Sequence, residues 1–178
     1  ARKDGPKPLG GQYEIIREIG EGGMGLVYEA MDRGLQRRVA VKKMRPEIRD
    51  DAKERRRFLV EAKIVAALKH PSIVDIFSIV EEDGEVYLIF EFVQGKTLFE
   101  VLQNSPLPFS AAVKRFKEVA AALDYAHSRR VIHRDMKPSN IMIDLEGKAH
   151  VMDFGVARVA KDALTRVAMT QTVFGTPP

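Results

Sequence analysis

Apolar residues along this chain change their period several times, and each change predicts a different kind of element. Between Tyr13 and Met44 they alternate with polar residues in three short runs, Tyr13–Ile19, Leu26–Asp32 and Arg38–Met44, separated by glycine-containing stretches. A period of two puts one face of each run against a core, so the three runs predict an antiparallel meander. From Asp51 to Leu68 the spacing becomes helical. Phe58, Glu61, Val65 and Leu68 fall on one stripe, and His70-Pro71 closes the segment. Alternation returns in Ile73–Glu81 and Glu85–Phe92, joined at Asp83-Gly84 in the manner of a hairpin turn.

Beyond a hinge near Phe92–Gly95 the pattern is mainly helical. Leu98–Gln103 predicts a short helix and Ser105–Pro108 a loop. Ser110 stands where it would cap a long helix to Ser128, on which Phe116, Ala120, Leu123 and His127 recur at helical spacing. Ile141–Asp144 and Ala149–Met152 predict two short strands about a turn at Glu146-Gly147. Ala1–Gly11 is rich in Lys, Gly and Pro, has no periodicity and reads as a flexible leader. The expected class is therefore α+β, with a leader over 1–11, a β-rich lobe over 12–93 and a mainly helical lobe over 94–178.

Bulk composition narrows the function classes. The chain has 178 residues, 45% hydrophobic and 30% charged, which describes a globular protein rather than a disordered one. It has no cysteine, which excludes disulfides and thiolate metal sites and fits a reducing compartment. No apolar run approaches the roughly 18 residues of a membrane span, so none is expected within this segment. The net charge of +4 raises the question of nucleic acid. However, Arg37-Arg38, Arg55-Arg56-Arg57 and Arg129-Arg130 are scattered and lack interleaved aromatics for stacking bases. A nucleic-acid partner is not expected.

Four groups of residues carry candidate chemistry. Gly20-Glu21-Gly22-Gly23-Met24-Gly25-Leu26-Val27 fits G-x-G-x-x-G-x-V, where glycines let backbone N–H groups approach phosphate oxygens. A strand rather than a helix follows it, which argues against a dinucleotide-binding turn. In Val39-Ala40-Val41-Lys42 the small Ala40 and the cationic Lys42 share a strand face. Glu61 is a carboxylate on an otherwise apolar helix stripe, so it needs a cation, and Lys42 is the natural one. The bland alternatives are an exposed strand lysine and a partly exposed glutamate. Finally, His133-Arg134-Asp135-Met136-Lys137-Pro138-Ser139-Asn140 precedes Asp153-Phe154-Gly155, placing acids, a lysine and hard oxygen ligands close together in sequence.

In this order, from Tyr13 to the last residue, these motifs resemble the eukaryotic-type (Hanks-type) Ser/Thr protein kinases. Gly22-Gly23-Met24-Gly25 and Val173-Phe174-Gly175-Thr176-Pro177 look most like bacterial members. The resemblance implies a protein-kinase-like fold: an ATP-binding N-lobe with one main helix, then a partial C-lobe with the catalytic loop and activation segment. It implies ATP and Mg²⁺ as cofactors and Ser/Thr hydroxyls of proteins as acceptors. Carried onto this chain, Gly20 to Gly25 would cover the phosphates. Lys42, held by Glu61, would bind them, and Val27, Ala40 and Met142 would wall the adenine. Backbone groups of Glu91 and Val93 would bind the adenine edge, with Phe90 guarding the pocket behind.

By the same resemblance Asp135 would accept the hydroxyl proton, Lys137 would steady the transferring group, and Asn140 and Asp153 would ligate the metal. His133 is expected to pack on Phe154 rather than act as a base. Arg134 would be neutralised by a phosphorylated threonine after Asp153-Phe154-Gly155, with Thr170 and Thr172 favoured over Thr165. Thr176 would belong to the substrate platform. Members of this kind place the domain in the cytoplasm, commonly as the intracellular part of a membrane receptor. The family continues past Gly175-Thr176 with more helices, so the apolar face of Val113–Ala126 is expected to lose cover and to favour self-association. Two rival readings stand beside this one. The first is a nucleotide-binding but catalytically weak module for interaction or dimerisation; the second is a small-molecule phosphotransferase, against which Lys137 and the threonine-rich tail argue.

Overall fold

The computed structural model describes residues 7–22 and 25–154, and the statements below concern those residues. They form two compact units, one containing residues up to Arg57 together with Ile76–Phe92, the other containing Phe58–Asp75 together with the chain from Val93 onward.

The first unit is built on five antiparallel strands: β1 (Tyr13–Gly22), β2 (Gly25–Asp32), β3 (Arg37–Lys43), β4 (Ile76–Glu82) and β5 (Glu85–Glu91). Their order across the sheet is β1-β2-β3-β5-β4. Register sorts the side chains onto two faces. Ala30 lies opposite Val39, and Val41 opposite Ile89. With Tyr13 these residues form the buried cluster on one face, edged by Tyr28, Phe77, Val80 and Tyr87. Val27 lies opposite Lys42 and Ala40 opposite Phe90, so the residues with candidate chemistry share the other face. The β4–β5 hairpin turns at Asp83 (φ 52°) and Gly84 (φ 77°), two left-handed residues in succession, as a two-residue turn matched to strand twist requires.

Two features of this unit differ from the sequence expectation. Residues 7–11 are seated on the sheet. Leu9 is buried in the same apolar cluster, and the Gly10 N–H donates to Glu82 Oε2 at 3.0 Å. A single apolar residue among Lys, Gly and Pro leaves no period to read. A one-turn helix, α1 (Pro46–Arg49), also intervenes before α2, started by proline at its first position.

The helix α2 (Ala52–Ala66) follows, and the division between the two units falls within it. Of its expected stripe, Phe58, Val65 and, just past the helix end, Leu68 are buried while Glu61 is half-buried, and Ala62 is buried beside them. The second unit adds β6 (Gly95–Thr97), α3 (Leu98–Asn104), α4 (Phe109–Ser128), β7 (Ile141–Asp144) and β8 (Ala149–Val151). Its three strands form an antiparallel sheet in the order β6-β7-β8. Thr97 and Glu100 build a reciprocal capping box that starts α3. A side chain at Gly95 would overlap the Ile143 carbonyl, so the β6–β7 pairing depends on glycine there.

The start of α4 corrects the sequence reading, whereas its exposed apolar residues agree with it. The helix starts at Phe109 after Pro108, one residue ahead of the expected Ser110 cap. Its buried residues are Ala122 and Ala126, whereas Phe109 and Phe116 are 85% and 74% exposed. Ala120 and His127 are exposed as well. The side that packs on β8 carries small residues and Glu118, whose Oε2 accepts the Ala149 N–H at 2.9 Å. A polar residue tied to a strand backbone masks that stripe, while the apolar stripe at the same period faces outward.

Candidate active site

In the first unit the candidate phosphate-binding residues come from adjacent strands. Gly20, Glu21 and Gly22 end β1, and Gly25 begins β2. Gly25 has φ 132°, and a Cβ there would overlap the Lys43 carbonyl oxygen, so this glycine is fixed by the approach of β3 as well as by any ligand. Glu21 is exposed and its Oε1 receives Arg45 Nη2 at 3.1 Å. Lys42 is half-buried with its ammonium 5.5 Å from the centre of the Phe90 ring, at the edge of cation–π range. Val27, Ala40 and Glu91 are likewise half-buried, and Phe90 is buried.

One cluster on these strands has no counterpart in the sequence reading. The Glu29 carboxylate is buried between Arg17 Nη2 at 2.7 Å and Arg38 Nη1 at 2.9 Å. Burial raises its pKa, but the two guanidiniums outweigh that and hold it below the ordinary carboxylate range. Arg38 also stacks over Phe92, 4.6 Å from the ring centre. Three residues distant in sequence carry no local motif that could reveal them.

The second unit assembles the catalytic-loop candidates. Proline starts a 3₁₀ turn over Pro138–Asn140 that folds Asn140 back toward Asp135. The Asn140 Nδ2 donates to the Asp135 carbonyl at 2.8 Å and to its Oδ2 at 3.2 Å. Lys137 Nζ lies 3.0 Å from the same Oδ2. The main chain of Asn140 then accepts the Met152 N–H at 3.0 Å, one residue before Asp153. Thus Asp135, Lys137, Asn140 and the residue adjoining Asp153 are stitched into one cluster. Asp153 has φ 63° and Arg134 φ 66°, left-handed conformations uncommon outside glycine and concentrated at functional positions.

Glu61 is half-buried. Its Oε1 lies 3.9 Å from Arg134 Nη1, a long ion pair, and its buried Oε2 has no hydrogen-bond partner among the described residues. His133 is 2% exposed and packs on Phe154, ring centres 4.7 Å apart. The His133 Nε2 sits 2.8 Å from the Met152 carbonyl and Nδ1 faces the Asp135 N–H at 3.3 Å, so the neutral ring carries its proton on Nε2. Burial lowers its pKa, and the Met152 carbonyl only partly opposes the shift. The ring therefore has a structural role, as expected.

A pH dependence follows from that shift. With the folded pKa below the unfolded one, the stability from neutral His133 is present above about pH 6.5 and is lost as pH falls through the folded value. Urea titrations between pH 7.5 and 5 are expected to show declining stability, and His133→Gln a smaller decline than wild type. Equal slopes in both proteins would remove His133 as the cause.

The family model for the protein kinase domain matches residues 13–178. The chain belongs to the protein kinase domain family. It is similar to the serine/threonine-protein kinase PrkC of Bacillus subtilis, 40% identical over 170 residues, covering 95% of this chain and 26% of that protein. Serine/threonine-protein kinase Pkn2 of Myxococcus xanthus is 35% identical over 173 residues, covering 95% and 21%. Among solved structures, the PknI kinase domain of Mycobacterium tuberculosis superposes with a TM-score of 0.73 at 31% identity. That match covers 82% of this chain and 59% of the solved one. The chain is a partial kinase domain, spanning about a quarter of the length of these curated relatives.

Within the kinase frame, Gly23, Met24, Gly155, Thr165, Thr170, Thr172 and Thr176 lie outside the described residues. Val93 and Met142 are half-buried in the second unit, Met142 opposite Thr97 and His150 in register. Among the described residues no group of three or more His, Cys, Asp or Glu could hold a metal. Mg²⁺ keeps waters and phosphate oxygens and asks the protein for one or two hard oxygen ligands. Asn140 and Asp153 carry oxygen atoms of that hard type. No helix among the described residues is long and apolar enough to cross a membrane.

Proposed function

We propose that this kinase domain transfers the ATP γ-phosphoryl group to Ser/Thr hydroxyls, first to threonines of its own activation segment. The observation that carries the reading is the Asp135 carboxylate held by Asn140 and Lys137 beside the backbone that leads into Asp153. Asp135 accepts the proton of the attacking hydroxyl and aims its oxygen, once Lys137 swings from Asp135 to the transferring group. Asn140 and Asp153 hold Mg²⁺, and Lys42, braced by Glu61, holds the phosphates. Backbone N–H groups of Gly20 to Gly25 cover them. The adenine lies between Val27, Ala40 and Met142, with its edge on Glu91 and Val93. ATP with Mg²⁺ supplies the group transferred and the cation that offsets its charge.

Arg134 lies exposed beside Asp135, where a phosphothreonine at Thr170 or Thr172 would pair with it and release Glu61 to Lys42. Mass spectrometry after incubation with Mg·ATP is expected to find phosphate on one of these two threonines. Its absence would defeat the reading. A nucleotide-binding but catalytically weak module is the second reading, favoured by the Glu61–Arg134 contact. Under it Mg·ATP still raises the melting temperature, since ligand at a hundredfold its Kd adds about 2.7 kcal/mol, yet no phosphate appears.

Protein hydroxyls rather than small-molecule ones are the proposed acceptors, a choice supported by Lys137 and the threonine-rich tail. The outward Phe109 and Phe116 of α4, with Phe99 and Leu102 of α3, support self-association of this segment, which sedimentation velocity reads directly. We place the domain in the cytoplasm, as the intracellular part of a membrane receptor kinase; topology mapping with reporter fusions tests that placement.

A further inference from the structure

Beside the residues assigned to the adenine walls, the first unit carries the Arg17–Glu29–Arg38 cluster, which no step of phosphoryl transfer uses. Register sets its place in the sheet. Glu29 lies opposite Ala40, and Arg38 precedes Ala40 by two residues, so both share the face of Val27, Ala40 and Lys42. Along β3 the order on that face is Arg38, Ala40, Lys42. The cluster therefore sits about 7 Å from Ala40, on the side away from Lys42.

The same cluster meets the end of β5. Val39 with Glu91 is the last pair of the β3–β5 ladder, so the chain leaves the sheet at Phe92. The Arg38 guanidinium stands over the Phe92 ring, 4.6 Å from its centre, and holds that residue where the ladder stops. An arginine with 41% of its side chain exposed ordinarily loses rotamer freedom to make such a stack. Here one oxygen of the buried Glu29 carboxylate already fixes Arg38 at 2.9 Å, while Arg17 holds the other oxygen at 2.7 Å. The stack is preorganised.

What Phe92 fixes in turn is a peptide group. The Glu91 carbonyl and the Phe92 N–H belong to one planar unit, so a tether on Phe92 restricts the direction of that carbonyl. Adenine presents an amino donor on the edge where guanine presents a carbonyl oxygen. A main-chain acceptor fixed in direction favours adenine, whereas a peptide able to turn over offers its N–H to guanine. We propose that Arg38, clamped by Glu29, is a positioning residue that fixes the Glu91–Phe92 peptide for adenine and against guanine. That role rests on the kinase reading, in which Glu91 meets the adenine edge, and it gives this chain its own means of selecting the base.

Dissociation constants of Mg·ATP and Mg·GTP, measured by titration calorimetry on the 178-residue chain, test this. Wild type is expected to prefer Mg·ATP. Arg38→Ala is expected to lower that preference roughly fivefold, the size of one such stack. Phe92→Leu should lower it as much while leaving the Arg38–Glu29 pair intact. The double variant should lose no more than either single one, because both remove the same contact. Arg17→Ala takes the other guanidinium from Glu29 and leaves the Phe92 stack in place, so its preference should stay within about twofold of wild type. A wild type that prefers Mg·ATP, with the same preference in Arg38→Ala and Phe92→Leu, overturns the positioning role alone. An equal fall in Arg17→Ala also overturns it, since that means general loosening of the sheet, as do single effects that add in the double variant. A wild type that binds neither nucleotide overturns the kinase reading and this role with it.

Discussion

Asp135→Asn is expected to lower the rate of phosphate incorporation by about 10²–10⁴-fold, the range spanned by a positioned general base. Mg·ATP affinity should stay within about twofold of wild type, because the role proposed for the side chain is toward the acceptor hydroxyl rather than the nucleotide. The change is nearly isosteric. Asn140 can still donate to the Asp135 carbonyl at its present 2.8 Å. The carboxylate that Lys137 meets at 3.0 Å is gone, so the lysine loses a partner without gaining a cavity. Paired measurements of phosphate transfer from labelled ATP and of nucleotide binding decide the matter. A rate within tenfold of wild type would remove Asp135 as proton acceptor. A parallel collapse of binding and rate would show instead that the variant is misfolded.

Gly25→Ala is expected to be the most destabilising single methyl in the first unit. The residue sits at φ 132°, where an L side chain is strained, and the added Cβ would overlap the Lys43 carbonyl. Strain and overpacking of this kind cost roughly 3 kcal/mol together. For a chain of this size that corresponds to a fall of roughly 6–12 °C in melting temperature. Gly20→Ala is the control, since nothing lies within 4 Å of a Cβ there. It should leave the melting temperature nearly unchanged while weakening Mg·ATP binding. Thermal melts of both variants without nucleotide separate the structural glycine from the functional one. Equal melting temperatures would contradict the close approach of β3.

The strands of the first unit were legible because each buries one face, so their alternation survives in the sequence. The hairpin at Asp83-Gly84 was legible because few residue pairs accept two left-handed conformations in succession. The cluster of Asp135, Lys137 and Asn140 was legible through a short motif folded by one proline-started turn. What escaped was structure made by long-range pairing. β6 is three residues long, too short for a period, and it exists because Gly95 lets β7 approach. The Arg17–Glu29–Arg38 cluster joins three strands. The apolar face of α4 was expected to lose cover, and Phe116 is exposed; spacing alone could not tell that Glu118 and the alanines are the side that meets β8. Glu61 was expected on the inward stripe with Lys42 as its cation; it is half-buried, and its contact with Arg134 is a partner that helix periodicity alone could not name.

The link from the Asn140 carbonyl to the Met152 N–H is made entirely of main-chain atoms. Any residue at 140 except one that distorts the turn can make it. A descendant of this gene could therefore lose the Asn140 amide and still inherit this main-chain link. Such offspring would keep the strand-to-turn link and lose only the side-chain bonds to Asp135.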